Sequence, residues 1–210
     1  MSGVGNRKQR SDKKRDIKPT ISRELKDTIY RLSYITDTPV KDVAESICIN
    51  GIGRKLVISY MAQNFRRDVR IDSTLYRGDM SRVPVKKRTA PGQSERISIR
   101  FRPQTYEAIF ALSYALDCTV SRACALLLDA SVRDSDFINE FVREYLEANI
   151  DENRMKDLRR VLRYINKDNP YVDEYSWASL LSYMIDEVRS GAEKVQDTVT
   201  DFIVNHWSDK

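Results

Sequence analysis

Hydrophobic and polar residues first alternate and then recur every three or four positions between residues 96 and 132. The sequence RISIRFR, from Arg96 to Arg102, has an apolar side chain at every second position, which is typical of a β-strand with one buried face. Apolar residues then recur every three or four positions in two stretches, 109–116 and 120–128, which is the spacing of one helix face. The pattern predicts a strand and two helices, with Pro103 opening the first helix and Thr119 capping the second.

The same order of elements occurs 80 residues earlier in the chain. Leu32-Ser33-Tyr34 recurs as Leu112-Ser113-Tyr114 without a gap. In this first copy the predicted strand runs from Ile17 to Ser22, and Ser22 is the predicted N-cap of the first helix. The second helix opens at Thr38-Pro39, with Thr38 as N-cap. A third helix is predicted in each copy, at 55–65 and 136–147. The chain is therefore predicted to contain two strand-helix-helix repeats.

A single strand of this length leaves its backbone unpaired, so each copy needs a partner. We expect the strand near Ile17 to pair antiparallel with the strand near Ile97 in the same chain, and the sequence leaves pairing with a second chain open. Pro19 has no N–H group, so we expect the inward-facing residues to occupy non-hydrogen-bonded positions. The predicted fold class is mainly α with a short two-stranded antiparallel β-ribbon.

The charge of the chain differs in sign between its two halves. Residues 1–102 contain 24 Lys and Arg and 11 Asp and Glu, a net charge of +13, whereas residues 103–210 have 12 and 20, a net charge of −8. The positive charge is concentrated at the N-terminus and between the repeats, and it favours nucleic acid over a membrane as partner. A solubilising tail and tether are the alternative. The basic residues expected to contact phosphates are Arg7, Lys8, Lys13, Lys14, Arg15, Lys86, Lys87 and Arg88.

An amphipathic strand followed at once by two helices resembles the ribbon-helix-helix family, the MetJ, Arc and CopG type of DNA-binding protein. The stretches RISIRFRP and TVSRACALLLDASV carry the resemblance best. It implies a two-stranded ribbon that enters the major groove of duplex DNA. It also implies that the N-terminus of each second helix points at a phosphate, and the residues concerned are Thr38, Val40, Thr119, Val120 and Ser121.

Alternation along the strands separates the side chains that would reach the DNA from those that would be buried. Ile17, Pro19 and Ile21 are expected to face inward in the first strand, and Ile97, Ile99 and Phe101 in the second. The residues that then face outward are Asp16, Lys18, Thr20, Ser22, Arg96, Ser98, Arg100 and Arg102. Arg100 is the first candidate for a base contact, because arginine can bond guanine through two hydrogen bonds. The expected base-contacting residues are Lys18, Thr20, Arg96, Ser98, Arg100 and Arg102.

The sequence predicts five segments. They are a disordered basic arm (1–15), a first repeat (16–65), a basic linker (66–95), a second repeat (96–148) and a C-terminal helical domain (149–210). The C-terminal domain is predicted from apolar stripes of helical spacing at 155–165, 177–188 and 195–203. The linker is expected to lie along phosphates or to be a disordered tether. For the C-terminal helices we expect homo-oligomerisation, binding of a protein partner, or packing against the repeats.

No catalytic, metal or cofactor site is expected. Cys48, Cys118 and Cys124 form no close pair, and the single histidine, His206, is distant from them in sequence, so the cysteines are expected to be small core residues. A nuclease, relaxase or recombinase with a tyrosine nucleophile is the enzymatic alternative, which this composition disfavours. Tyr34 and Tyr114 occupy equivalent helix positions, where we expect them to pack or to form hydrogen bonds. No signal peptide and no membrane span of about 18 apolar residues is evident, so a cytoplasmic, nucleoid-associated protein is expected.

The sequence as a whole favours a sequence-specific duplex-DNA-binding protein, with transcriptional repression as its first interpretation. A plasmid or phage accessory protein for partition, copy control or transfer is the alternative. A helical protein-interaction module that does not bind DNA is a third possibility, but it would leave Arg96, Arg100 and Arg102 without a role.

Overall fold

The computed structural model describes residues 13–85, 92–134, 141–142 and 151–171. In these ranges the chain is mainly helical with short two-stranded antiparallel sheets, as the sequence predicts. The helices are α1 (Arg23–Ile35), α2 (Val40–Gly53), α3 (Lys55–Ala62), α4 (Pro103–Ala115), α5 (Val120–Val132) and α6 (Glu152–Asn166). The strands are β1 (Arg15–Ile17), β2 (Thr20–Ser22), β3 (Val69–Ile71), β4 (Thr74–Tyr76), β5 (Ser94–Arg96) and β6 (Ile99–Phe101).

Four of the strands form one antiparallel ribbon that joins the two halves of the chain. Strand β1 pairs with β6, where Ile17 lies opposite Ile99, and β2 pairs with β5, where Ile21 lies opposite Glu95. The two ladders share one register, so they are two stretches of a single ribbon interrupted near Pro19. All four strands belong to the same chain, which is the intramolecular pairing that the sequence favours.

Pro19 interrupts the ribbon differently from the way we expect from the sequence. The backbone N–H of Ile97 donates to Pro19 O at 3.2 Å, and the register places the two residues directly opposite each other. Such a pair is a hydrogen-bonded pair of an antiparallel ladder. The expectation that inward-facing residues occupy non-hydrogen-bonded positions is therefore wrong. Because proline cannot donate, the ladder loses one bond here, at a cost of about 1 kcal/mol.

The alternation of buried and exposed residues along the ribbon is confirmed. The inward side chains are all buried, and they are Ile17, Pro19, Ile21, Ile97, Ile99 and Phe101. Strand β5 begins at Ser94, two residues earlier than the sequence predicts. Glu95 takes an inward position in this extension, and it accepts a hydrogen bond from Lys26 that lowers the pKa of its carboxyl. The ribbon is thus longer than its apolar pattern indicates.

Side-chain caps define the start of two helices in the way the sequence predicts, whereas a third start differs. Ser22 Oγ accepts from the N–H of Leu25 at the start of α1, and Thr119 Oγ1 accepts from the N–H of Arg122 at the start of α5. At the start of α2 the prediction of a Thr38 cap is wrong, because the N-cap residue is Pro39. The hydroxyl of Thr38 donates instead to the carbonyl of Thr36 at 3.0 Å.

The two copies of the predicted repeat have corresponding helices at the same offset. Helices α1 and α4 begin 80 residues apart, and so do α2 and α5. Asp37 and Asp117 both have positive φ, 49° and 53°, a conformation that Asp adopts more readily than most residues. After each aspartate, the next backbone N–H donates at 3.1 Å to the carbonyl five residues earlier. The turn between the two helices is therefore built in the same way in both copies.

The offset and the register together define a local two-fold axis. Continued between its two ladders, the register places Lys18 opposite Ser98, and these residues are 80 apart. A Cβ atom on Gly51 of α2 would lie 1.8 Å from Ser131 Oγ of α5, and these residues are also 80 apart. Equivalent positions can meet only near the axis that exchanges the copies. The axis therefore runs from the centre of the ribbon to the contact between α2 and α5.

The segment predicted as a linker, 66–95, is folded in its described parts. Strands β3 and β4 form a hairpin with a two-residue turn. The backbone N–H groups of Arg66 and Arg67 donate to Ala115 O at 2.7 and 3.1 Å, and both guanidinium groups form ion pairs with Asp117. These contacts attach the segment to the turn between α4 and α5. An open tether is therefore the wrong description of residues 66–85.

Helix α6 belongs to the same core as the repeats. Met155, Leu158 and Ile165, which form part of its predicted apolar stripe, are fully buried, and α6 packs on α1. Asp157 forms an ion pair with Arg31 across this contact. This part of the predicted C-terminal domain is thus not a separate unit.

The third helix predicted in each copy is described fully in the first copy and only in part in the second. In the first copy, α3 ends at Ala62, three residues before the predicted end. Of the predicted helix 136–147, only Phe141 and Val142 are described, and both are helical. The remainder of that helix and the helical stripes predicted beyond residue 171 lie outside the described residues.

The contact at the two-fold axis generates a prediction about stability. Gly51→Ala should lower the free energy of unfolding by about 1–3 kcal/mol, because the added methyl group overlaps Ser131. Urea unfolding followed by circular dichroism measures this change.

Gly53→Ala is the matched control, because a Cβ at Gly53 would meet nothing within 4 Å. We expect it to be neutral or to stabilise by up to about 1 kcal/mol through helix propensity. In the double variant, Gly51→Ala with Ser131→Gly, the free energy of unfolding should fall by less than the sum of the losses in the two single variants. A Gly51→Ala chain as stable as the unaltered one would contradict the close contact.

Candidate nucleic-acid interface

The outer face of the ribbon is a row of polar side chains. It consists of Asp16, Lys18, Thr20, Arg96, Ser98 and Arg100, of which Thr20 is half-buried and the others are exposed. The register gives three cross-strand pairs along this row, Asp16 with Arg100, Lys18 with Ser98, and Thr20 with Arg96. Since the inward residues take the hydrogen-bonded positions, these pairs take the non-hydrogen-bonded ones, where Cα atoms approach to about 4.5 Å. Each pair therefore presents two adjacent side chains outward.

Three arginines of the predicted second strand have free guanidinium groups, although Arg102 lies beyond the end of β6, as the N-cap residue of α4. Arg96, Arg100 and Arg102 are exposed, and none of their side chains forms a hydrogen bond or ion pair with any residue in the described ranges. By contrast, Arg82 in the linker donates to the carbonyls of Ala62 and Phe65 at 2.8 and 2.9 Å. The free arginines can thus donate to an external acceptor without breaking an internal contact.

Asp16 places a carboxylate within this otherwise basic row. Ser98 Oγ donates to Asp16 Oδ1 at 2.8 Å, and Lys18 Nζ lies 3.6 Å from Asp16 Oδ2. Arg100 is opposite Asp16 in the register. The local charge is therefore mixed at one end of the outer face, whereas at the other end Arg96 faces the hydroxyl of Thr20.

The N-terminus of α5 lies beside the outer face. A cleft of about 550 Å³ separates them, and it is lined by Lys18, Thr20, Pro84, Val85, Arg96, Asp117, Cys118, Thr119, Ser121 and Arg122. Thr119 caps α5, which leaves the N–H groups of Val120 and Ser121 without an intrahelical partner. The ion pairs from Arg66 and Arg67 neutralise Asp117 in the cleft wall.

Arg122 adds a further cation to this cleft. Its Nε atom is buried and has no hydrogen-bond partner among the described residues. The sequence pattern assigned no role to Arg122, although the residue follows the predicted cap Thr119 by three positions. Backbone donors at a helix N-terminus, three cationic side chains and a neutralised carboxylate form a site that suits a phosphate.

The equivalent N-terminus of α2 offers fewer donors than the sequence suggests. Both donors of Thr38 are engaged, its N–H with Ser33 O and its hydroxyl with Thr36 O. The N–H of Val40, the first residue of α2, remains without an intrahelical partner. At this end of the molecule, the backbone of Val40 is therefore the better candidate for a phosphate contact.

The predicted basic arm is partly incorporated into the fold. Arg15 lies in β1 with its guanidinium 4.8 Å from the ring centroid of Tyr106, and Lys14 forms an ion pair with Glu45 of α2. Lys13 is exposed. A disordered arm is thus the wrong description of its last residues, because internal contacts hold them. Arg7, Lys8, Lys86, Lys87 and Arg88 lie outside the described residues.

The described part of the chain contains no group of three or more His, Cys, Asp or Glu side chains that could hold a metal ion. Cys48 and Cys124 are buried in the core, as expected, and Cys118 is half-buried. Burial raises the pKa of the Cys118 thiol to about 11, so the thiol that faces the cleft is uncharged at neutral pH.

The two tyrosines at equivalent helix positions each pack beneath an arginine. The guanidinium of Arg154 lies 5.7 Å from the ring centroid of Tyr34, and that of Arg67 lies 4.9 Å from the ring centroid of Tyr114. These distances are typical of cation–π contacts. The geometry thus gives both rings a packing role, in agreement with the sequence interpretation.

In the described ranges, no individual helix has the length and apolar character needed to cross a bilayer. Helices α4 and α5 would pass that test only as a pair, and they are bent by 99° relative to each other.

The sequence places all six members of the outer face on one side of the ribbon, and the structure brings them together as three pairs. Arg102, which the sequence places on the same side, lies one residue past the end of β6. The sequence pattern assigned no role to Asp16, because its contacts depend on the register, which the alternation alone does not determine. Comparison of the chain with protein-family models, with curated proteins and with solved structures gave no match.

Proposed function

We propose that this chain is a non-enzymatic, sequence-specific duplex-DNA-binding protein of the ribbon-helix-helix type. The observation that carries the proposal is the outer face of the ribbon, where Arg96 and Arg100 are exposed and free of internal partners in the described residues. A two-stranded ribbon has the right width for the major groove, which is about 12 Å wide. In that position both guanidinium groups can reach the N7 and O6 acceptors of guanine.

Phosphate contacts beside the ribbon fix its position in the groove. The cleft between the ribbon and the N-terminus of α5 supplies backbone N–H groups and the side chain of Arg122. The backbone of Val40 supplies the contact at the other end. Contacts of this kind orient a protein on DNA, whereas the base edges supply the sequence information. The basic residues of the arm and linker add to the phosphate contacts.

Transcriptional repression is the role that we favour, in a nucleoid-associated protein of the cytoplasm. A ribbon that occupies the major groove at a promoter excludes other proteins from the same groove. Mapping of binding sites across a genome tests this role, because repressor sites lie at promoters. Sites concentrated at a replication, partition or transfer origin would instead indicate the accessory role.

Binding to mixed-sequence duplex DNA should weaken steeply with salt. The slope of log K against log salt should be about −0.9 for each phosphate contacted, because counterions are released on binding. Fluorescence anisotropy with a labelled duplex measures it. A protein-interaction module without a DNA site would show no such binding at any salt concentration.

Arg100→Ala should reduce affinity for the selected DNA site by about 5- to 160-fold, because a bidentate arginine–guanine contact contributes about 1–3 kcal/mol of discrimination. Affinity for mixed-sequence DNA should fall much less. Arg163→Ala is the matched control, since Arg163 is an exposed arginine on α6 and its removal changes the net charge equally. Equal losses for the two variants would contradict a base contact by Arg100.

The bound site should have two unlike halves. The two-fold axis relates Thr20 to Arg100 and Asp16 to Arg96, so the two halves of the outer face present different side chains. Hydroxyl-radical footprinting with one chain per duplex should therefore show an asymmetric pattern. An ideal palindrome as the preferred site would count against reading by the intramolecular ribbon.

A further inference from the structure

We propose that the cross-strand pair of Asp16 and Arg100 reads one G·C base pair in a fixed orientation, with guanine at Arg100 and cytosine at Asp16. Asp16 is then a specificity-determining residue. The inference rests on the proposed function and goes beyond it by naming the base pair that one end of the ribbon selects.

The geometry of the ribbon brings the two side chains together. Asp16 and Arg100 are directly opposite, and they occupy a non-hydrogen-bonded position, where facing side chains lie closest. Both are exposed, and the guanidinium of Arg100 has no partner in the described residues. A carboxylate and a guanidinium are thus presented side by side to the same depth of a groove.

The hydrogen-bonding capacity of Asp16 leaves room for a base. A carboxylate can accept about four hydrogen bonds. Ser98 Oγ uses one acceptor position at 2.8 Å, and Lys18 Nζ is 3.6 Å from the other oxygen. The Ser98 bond also fixes the orientation of the carboxylate. Asp16 is therefore an oriented acceptor with free lone pairs.

The major groove offers such an acceptor few partners. Guanine presents two acceptors and thymine one, so both repel a carboxylate, while adenine presents its N7 acceptor beside its amino donor. Only cytosine offers a donor without an adjacent acceptor. Guanine is the base that arginine binds through two hydrogen bonds. The acceptor–donor order of Asp16 and Arg100 is therefore complementary to a single G·C pair, read in one direction.

The equivalent pair at the other end of the ribbon is less restrictive. The two-fold axis relates Asp16 and Arg100 to Arg96 and Thr20, respectively. Thr20 presents a hydroxyl, which can donate as well as accept. The Arg96 end therefore selects guanine with a weaker requirement on the opposite base. Asp16 makes one half of the site stricter than the other.

Asp16 has an alternative, purely structural role, which the experiment must distinguish from a base contact. The carboxylate could serve only to hold Ser98 and Lys18 in place on the outer face, without contacting DNA. Its removal would then change affinity for every sequence by the same factor. A base contact instead changes the preference at one position of the site.

The test is selection from a randomised duplex pool by the full chain, followed by sequencing of the bound fraction. Asp16→Asn is nearly isosteric and keeps an acceptor for Ser98. We expect it to lose about tenfold of the preference for cytosine at one off-centre position, as expected for a single base contact. Its affinity for mixed-sequence duplex should rise by a fewfold, because a negative charge is removed. Preferences at the other positions should stay unchanged.

Glu107→Gln is the matched control, since Glu107 is an exposed carboxylate on α4. It should leave every base preference unchanged. A second measurement leaves the protein unaltered and replaces the selected cytosine by 2-pyrimidinone, which lacks the amino group. Binding of the unaltered chain should weaken about tenfold, whereas the same replacement at the Arg96 end should have little effect.

The outcomes distinguish the inference from the proposed function. If the unaltered chain enriches a sequence and Asp16→Asn enriches the same one with equal preference at every position, the inference is wrong and the proposed function stands. An unchanged affinity for the 2-pyrimidinone duplex would likewise overturn the inference alone. If the unaltered chain binds no duplex, the proposed function fails and the inference fails with it.

Discussion

Pairing between the two strands of the ribbon is the interaction on which the rest of the structure depends. Neither strand can bury its apolar side or satisfy its backbone alone. Once Ile17 lies opposite Ile99, the helices that follow the two strands occupy positions related by the local two-fold axis. Helices α2 and α5 then meet at Gly51 and Ser131, where the contact is so close that a Cβ on residue 51 does not fit. Ribbon and helices therefore depend on the same two-fold relation.

The strands of the ribbon and most of the helices were predictable because they carry strong local signals, whereas β3 and β4 lie in the segment predicted as a linker. Alternation identifies the buried side chains, and the offset of 80 residues relates the two copies. The caps at Ser22 and Thr119 follow from local hydrogen bonding, which needs only a side-chain oxygen and an N–H three residues later. The outer face follows from the same alternation, which identifies its six members but also adds Arg102, one residue past the end of β6.

The remaining features depend on contacts between distant parts of the chain. Alternation separates two faces but does not determine which face takes the hydrogen-bonded positions, so the environment of Pro19 was predicted incorrectly. Arg66 and Arg67 appeared as free cations in the sequence, yet Asp117, 51 and 50 residues further on, binds both in the structure. The base contact proposed for Asp16 likewise depends on Arg100, the residue opposite it in the register. Composition shows that a charge is present but not which partner it has.

The covalent connection between the two strands has a consequence for how the protein responds to dilution. A ribbon assembled from two separate chains dissociates when its concentration falls below the dissociation constant of the dimer. Here both strands lie in one polypeptide, so assembly is unimolecular and its extent is the same at any abundance. Under the proposed function, with one chain bound per site, occupancy of a target follows protein level hyperbolically rather than with the steeper dependence that a dissociating dimer shows.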